Sequence, residues 1–136
     1  MAYYLAKTDP DTYSIDKFEQ EQETLWDGVT NPQALGFIRK MEPGDTVFLY
    51  HSGSDAGVVG LATVTAAAVP DPKNAKSWTP RLRFVGRLDP PTSLAEIKAS
   101  GLFADWYLVR QGRLSTMPAP ETFVGWLRKR YPNAKF

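Results

Sequence analysis

The chain has no cysteine and one histidine, His51. Without cysteine there is neither a disulfide nor a thiolate metal site, and a lone histidine leaves too few ligands for zinc, so no metal and no cofactor is expected. No run of about 18 apolar residues occurs, which excludes a helical membrane span. Met1 leads directly into a strand-like run without the basic and apolar regions of a signal peptide, so a reducing, cytoplasmic setting is the expectation. Net charge is scarce as well: 16 Lys and Arg against 15 Asp and Glu give +1. A protein that grips nucleic acid by bulk charge neutralises many phosphates and needs a larger cationic excess; a local basic stripe is still compatible. Enzyme signatures are missing too, with no P-loop, Gly-x-Gly-x-x-Gly, Gly-x-Ser-x-Gly or His-Glu-x-x-His. General acid–base chemistry would have to use His51 or a tuned carboxylate.

What is present is an ordinary globular composition, 43% hydrophobic and 23% charged over 136 residues, long enough for one domain with its own core across residues 1–136. Ala2–Ala6 reads as a strand that Asp9-Pro10 ends. Ser14 caps a short helix from Ile15 to about Gln20, and the polar run Glu19–Thr24 reads as a solvated connection. Asn31-Pro32 places an N-cap residue and a first-turn proline ahead of Leu35, Ile38 and Met41 at helical spacing, until Pro43-Gly44-Asp45 stops the helix. Thr46–Tyr50 and Val58–Ala67 make a hairpin candidate around His51–Gly57. Pro70–Ser77 reads as an exposed loop. Arg81–Leu88 alternates, Leu82, Phe84 and Leu88 on one face and Arg81, Arg83 and Arg87 on the other, closed by Pro90-Pro91. Ser93-Leu94-Ala95-Glu96 is a capping box. Leu102–Val109 is aromatic but irregular, and Pro120-Glu121 opens a last helix with Phe123, Val124, Trp126 and Leu127 on its apolar side. Strands with short helices between them, not spaced as βαβ units, predict an α+β fold: a small mixed β-barrel with peripheral helices.

The densest stretch is Trp26-Asp27-Gly28-Val29-Thr30-Asn31. Trp26 is either a core indole or a stacking wall for a flat ligand, with Gly28 letting that ligand approach the backbone. Asn31 is first a helix cap. Tyr50-His51-Ser52 is either an exposed turn or one edge of a pocket mouth. Arg110 offers a partly buried planar fork of donors or a surface salt bridge. Arg81, Arg83 and Arg87 either track a phosphate backbone or form a solvated strand face.

Five ordered motifs carry a family resemblance. Tyr4-Leu5-Ala6-Lys7-Thr8-Asp9-Pro10-Asp11-Thr12-Tyr13-Ser14-Ile15, Trp26 to Asn31, Phe48-Leu49-Tyr50-His51-Ser52, Val59-Gly60-Leu61-Ala62 and Leu108 to Ser115 together resemble the EVE domain of the thymocyte nuclear protein family and its bacterial relatives. The resemblance spans nearly the whole chain. It implies a PUA-like twisted β-barrel, related to YTH and ASCH domains, and a family that reads modified bases flipped into a pocket. Residue by residue, it implies that Trp26, Gly28, Val29 and Asn31 line that pocket, with Lys7 and Thr8 at one edge and His51 and Ser52 at another. Arg110, Leu114 and Ser115 would close it. Thr30, Pro32, Leu35-Gly36 and Gly112 depart from the residues many relatives carry there, which removes two cations beside the pocket.

The expectation is therefore a non-catalytic, monomeric domain whose partner is nucleic acid carrying a modified base, more readily DNA than RNA. Stacking is worth about 1–3 kcal/mol per base, which would make Trp26 decisive. Two alternatives stand beside it: an ASCH-like hydrolase using Asp27 or His51, and a general RNA-binding module working through its arginine face.

Overall fold

The computed structural model describes residues 2–136. Six strands form one sheet in the order β2-β5-β4-β3-β1-β6. In chain order they are β1 (Tyr3–Thr8), β2 (Glu23–Leu25), β3 (Thr46–His51), β4 (Gly57–Asp71), β5 (Asn74–Ser93) and β6 (Thr116–Pro118). Five helices intervene: α1 (Ile15–Glu21), α2 (Pro32–Ile38), α3 (Leu94–Ala99), α4 (Tyr107–Arg110) and α5 (Glu121–Arg130). The fold is α+β with short flanking helices, as the sequence predicts. The sheet does not close, however: the two outer strands, β2 and β6, pair with β5 and β1 and not with each other.

Strand β1 lies parallel to β3 and antiparallel to β6, and its Tyr4, Leu5 and Ala6 are all buried. Consecutive burial, without alternation, marks a strand covered on both faces. Two aromatic groups pack the interior. One joins Phe48, Phe103, Trp106 and Phe123, the last two rings 4.4 Å apart; the other joins Tyr13, Phe18, Trp26 and Phe84.

Three local expectations are corrected. The Glu19–Thr24 run is no free connection: its end enters β2, which pairs Glu23 to Leu25 with Arg83 to Arg81 of β5. Pro70–Ser77 is no loop, because β4 and β5 run into it and leave only Pro72 and Lys73 between them. Ser77 is buried and donates its hydroxyl to the Val29 carbonyl at 2.6 Å, which a solvated loop would not do. Pro90-Pro91 does not end β5, which continues to Ser93. The ladder shifts register between Val58 and Gly60, so neither proline is asked for a ladder hydrogen bond, and β2 is too short to flank them on the other side. The capping signals hold. Asn31 accepts from the Ala34 amide at 3.0 Å, and the Ser93–Glu96 capping box closes in both directions.

Candidate functional site

The end of β1, the loop and first turns of α1, and the segment from β2 to the cap of α2 surround a cleft of ≈ 690 Å³. Small-ligand sites span about 300–1,000 Å³. Its geometry follows from a few backbone anchors. The Trp26 amide donates to the Pro80 carbonyl at 2.9 Å, and Ser77 holds Val29, so β5 pins the turn at two points. Gly28 sits between them at φ +82. A Cβ there would meet nothing within 4 Å, so the glycine is required by backbone conformation and the space beside it is open. Asn31 then caps α2 with its Oδ1.

The opposite rim is built at the end of β1. The Lys7 amide donates to the Ser115 carbonyl at 2.8 Å and the Lys7 ammonium to the Gly112 carbonyl at 2.9 Å, so one residue ties the Gly112–Ser115 segment to the sheet. Burial lowers the Lys7 pKa below its ordinary value. Thr8 donates its hydroxyl to the Tyr13 carbonyl at 2.8 Å. Tyr13 in turn donates to a Glu21 carboxylate oxygen at 2.6 Å. Desolvation, then that carboxylate, push its phenol up to about 12, so Tyr13 stays neutral and a donor across the physiological range.

Seven of the residues named from sequence line this cleft: Lys7, Thr8, Trp26, Gly28, Val29, Asn31 and Ser115. Four do not. His51 lies behind the wall, where its Nε2 accepts from the Ile15 amide at 3.1 Å; that bond requires the neutral ring, and burial lowers its pKa. Ser52 anchors the rim from behind, its amide donating to the Thr8 carbonyl at 3.0 Å. Leu114 is buried core. Arg110 is exposed, has no ion-pair partner among the described residues, and lines a separate hollow of ≈ 490 Å³ with Trp106 and Tyr107. Of the two groups a hydrolase would use, Asp27 lines the cleft and His51 does not.

Trp26 is at once a core indole and part of the cleft wall. Only 7% of it is exposed, and it packs against Phe18, yet it also lines the cleft. Tyr13 is the contributor that sequence reading missed. Its ring stands at 84° to the Trp26 indole with centroids 6.1 Å apart, so the two form an aromatic corner. The signal available was its place in the motif that ends β1, but its position opposite Trp26 depends on the loop folding back, with the Tyr13 amide donating to Asp9.

The lining is mixed in charge, with Asp9, Glu21 and Asp27 against Lys7 and Lys17. The arginine face of β5 is largely neutralised. Arg87 pairs with Asp16 and with Glu19, the latter at 2.8 Å, and Arg81 lies 3.6 Å from Glu23. Among the described residues no cluster of three or more His, Asp or Glu could hold a metal ion, and no helix is long and apolar enough to cross a membrane.

This architecture has close counterparts. Superposition on the crystal structure of a Pseudomonas syringae protein gives a TM-score of 0.85 at 32% identity, covering 95% of this chain and 99% of that one. A solution structure from Rhodopseudomonas palustris gives 0.90 at 29% identity, covering 100% and 97%. The human THYN1 protein, in a crystal structure with DNA containing 5-methylcytosine, shares the fold with a TM-score of 0.88 at 23% identity, covering 99% and 100%. In sequence, human thymocyte nuclear protein 1 is 35% identical over 82 residues, 52% of this chain and 36% of the human protein. The mouse protein is 33% identical over 101 residues, 65% and 45%. The chain thus spans less than half the length of the curated relatives it matches. The model of the EVE domain matches residues 2–130, and the chain belongs to the EVE domain family.

Proposed function

We propose that this chain is a non-catalytic reader of a modified nucleobase in nucleic acid, DNA in preference to RNA, acting as a monomer and as one domain over residues 1–136. The observation that carries the reading is the aromatic corner of Trp26 and Tyr13 inside an open cleft edged by polar groups. A base lying flat on one ring meets the other edge-on, which fixes its plane. Asn31 has its Oδ1 committed to the helix cap and its amide nitrogen left to donate; Asp27 supplies an acceptor. A base inside a duplex cannot reach such a recess, so the target nucleotide enters by swinging out of the stack. The complex of the human relative with DNA containing 5-methylcytosine supports DNA as the polymer and a methylated pyrimidine as the first base to try.

The test is a binding series on short duplex and single-stranded oligonucleotides, differing only in cytosine against 5-methylcytosine or adenine against N6-methyladenine. One modified base is expected to bind at least tenfold tighter than its parent, with Trp26→Phe reducing that preference. Equal affinity for every oligonucleotide, unchanged in Trp26→Phe, overturns the reading.

A further inference from the structure

The cleft leaves a practical problem unsolved. Its lining holds three carboxylates against two ammonium groups, and both ammonium groups are engaged. Lys7 donates to Gly112 and lies 5.5 Å from the Tyr50 ring centre; Lys17 lies 5.9 Å from that of Tyr13. Such a recess admits a neutral base and repels the phosphates attached to it. The strand needs cations outside the cleft, and the expected source on β5 is mostly occupied by Asp16, Glu19 and Glu23.

A second set of cations is free. Lys73 and Lys76 stand exposed at the tip of the β4–β5 hairpin, and Arg39 and Lys40 just beyond the end of α2. None of the four forms an ion pair among the described residues. They belong together in space, because the Arg39 guanidinium lies 4.6 Å from the ring centre of Trp78, two residues along β5 from Lys76. The set is also tied to the cleft. Ser77, between Lys76 and Trp78, holds Val29 of the lining, and α2 runs from its Asn31 cap at the cleft to Arg39. The eight residue steps from Asn31 to Arg39 rise about 12 Å. Stacked nucleotides advance about 3.4 Å each, so Arg39 lies within roughly three to four nucleotides of a base in the cleft.

We propose that the β4–β5 hairpin tip, with Arg39 stacked on Trp78, is the grip for the phosphodiester backbone flanking the bound base; this rests on the cleft being the base-reading site. Backbone contacts of this kind set affinity and salt dependence but carry no base preference. The arm and the cleft should therefore fail in different ways.

The test compares Lys73→Ala/Lys76→Ala, Arg39→Ala and the distant Lys129→Ala on paired modified and unmodified oligonucleotides over a salt series. The hairpin variant is expected to weaken both oligonucleotides alike, on the order of tenfold. Its salt slope should be shallower by about 0.7–0.9 per lost contact, while the preference for the modified base stays. Arg39→Ala should follow in the same direction and Lys129→Ala should match the parent. An unchanged slope in the hairpin variant, or an equal loss in Lys129→Ala, overturns the grip while leaving the cleft reading intact. Absence of any base preference in the parent chain is the separate failure of that reading.

Discussion

Two hollows in this molecule are each built beside a tryptophan, and they differ in how the indole is used. Trp106 donates its Nε1 to the Pro118 carbonyl at 2.9 Å and packs among Phe103 and Phe123. Its hollow is shaped by residues from Leu102 to Thr122, a single continuous region of chain. Trp26 is equally buried, but the Trp26 indole N–H has no partner among the described residues. Its cleft draws on β1, α1, the turn to α2 and Ser115, parts far apart in sequence. A buried tryptophan beside a cavity is thus no functional signal by itself. Nor is a second ring, since Phe103 stands at 70° to Trp106 much as Tyr13 stands at 84° to Trp26. What sets the Trp26 cleft apart is that separate segments converge on it with polar groups among its lining.

The largest expected effect breaks the comparison most directly. Replacing either tryptophan with alanine should cost about 3–5 kcal/mol of stability, since both indoles are packed. Chemical denaturation would therefore not tell them apart. The phenylalanine variants do. Trp26→Phe should lose much of the oligonucleotide binding, within the roughly 1–3 kcal/mol that stacking provides, whereas Trp106→Phe should bind as the parent does. Equal losses in both would mean that the two hollows are not distinct in role.

Tyr13 sharpens the same contrast with a smaller effect. Tyr13→Phe keeps the ring and removes the hydrogen bond to Glu21, so it should cost about 0.5–1.5 kcal/mol of stability and little binding. Tyr13→Ala removes the corner itself and should weaken binding on the order of tenfold. If Tyr13→Ala binds as tightly as the parent, the cleft has one aromatic wall and not two.

The unequal legibility of the two regions has physical causes. Asn31-Pro32 and Ser93–Glu96 were readable because a cap is set by neighbours within a single turn of helix. Glu23–Leu25 was not, because three exposed-to-intermediate residues become a strand only when Arg81–Arg83 offers an edge. Pro70–Ser77 carries turn-forming residues, yet the pairing of Val69 with Thr79 and Pro70 with Trp78 extends the sheet through it. The family resemblance brought seven of eleven site residues to the cleft. It misplaced Arg110 because Tyr107–Arg110 forms a helical turn that aims this arginine at the other hollow. Tyr13 was missed because its place depends on a loop folding back over the β1 end, with Thr8 holding its carbonyl.

Asn31 lies where fold and site overlap. Asn31→Ala should lower stability by about 1 kcal/mol through loss of the cap on Ala34. Asn31→Asp restores the acceptor and removes the amide donor. Stability near that of the parent with weaker oligonucleotide binding would assign the donor to the ligand; unchanged binding would confine Asn31 to the helix.

The smallest effect concerns the wall behind the cleft. His51 holds the first amide of α1 through an unprotonated Nε2, and burial depresses its pKa below 6.5. Nearby Asp16 pulls that pKa back up and Arg87 pushes it further down. Because the folded form binds this proton less readily than the unfolded chain, the His51 contribution is complete above 6.5. It declines as pH falls from there toward the lowered folded value. Thermal melts between pH 8 and about pH 5 should show that loss, and His51→Gln should flatten it while giving up some stability at pH 8. Tryptophan fluorescence over the same range reads the neighbourhood directly, since His51 and Trp26 line the same small pocket behind the cleft. A parent chain whose stability does not change between pH 7 and about pH 5 would mean that the Ile15 amide is held without help from the neutral ring.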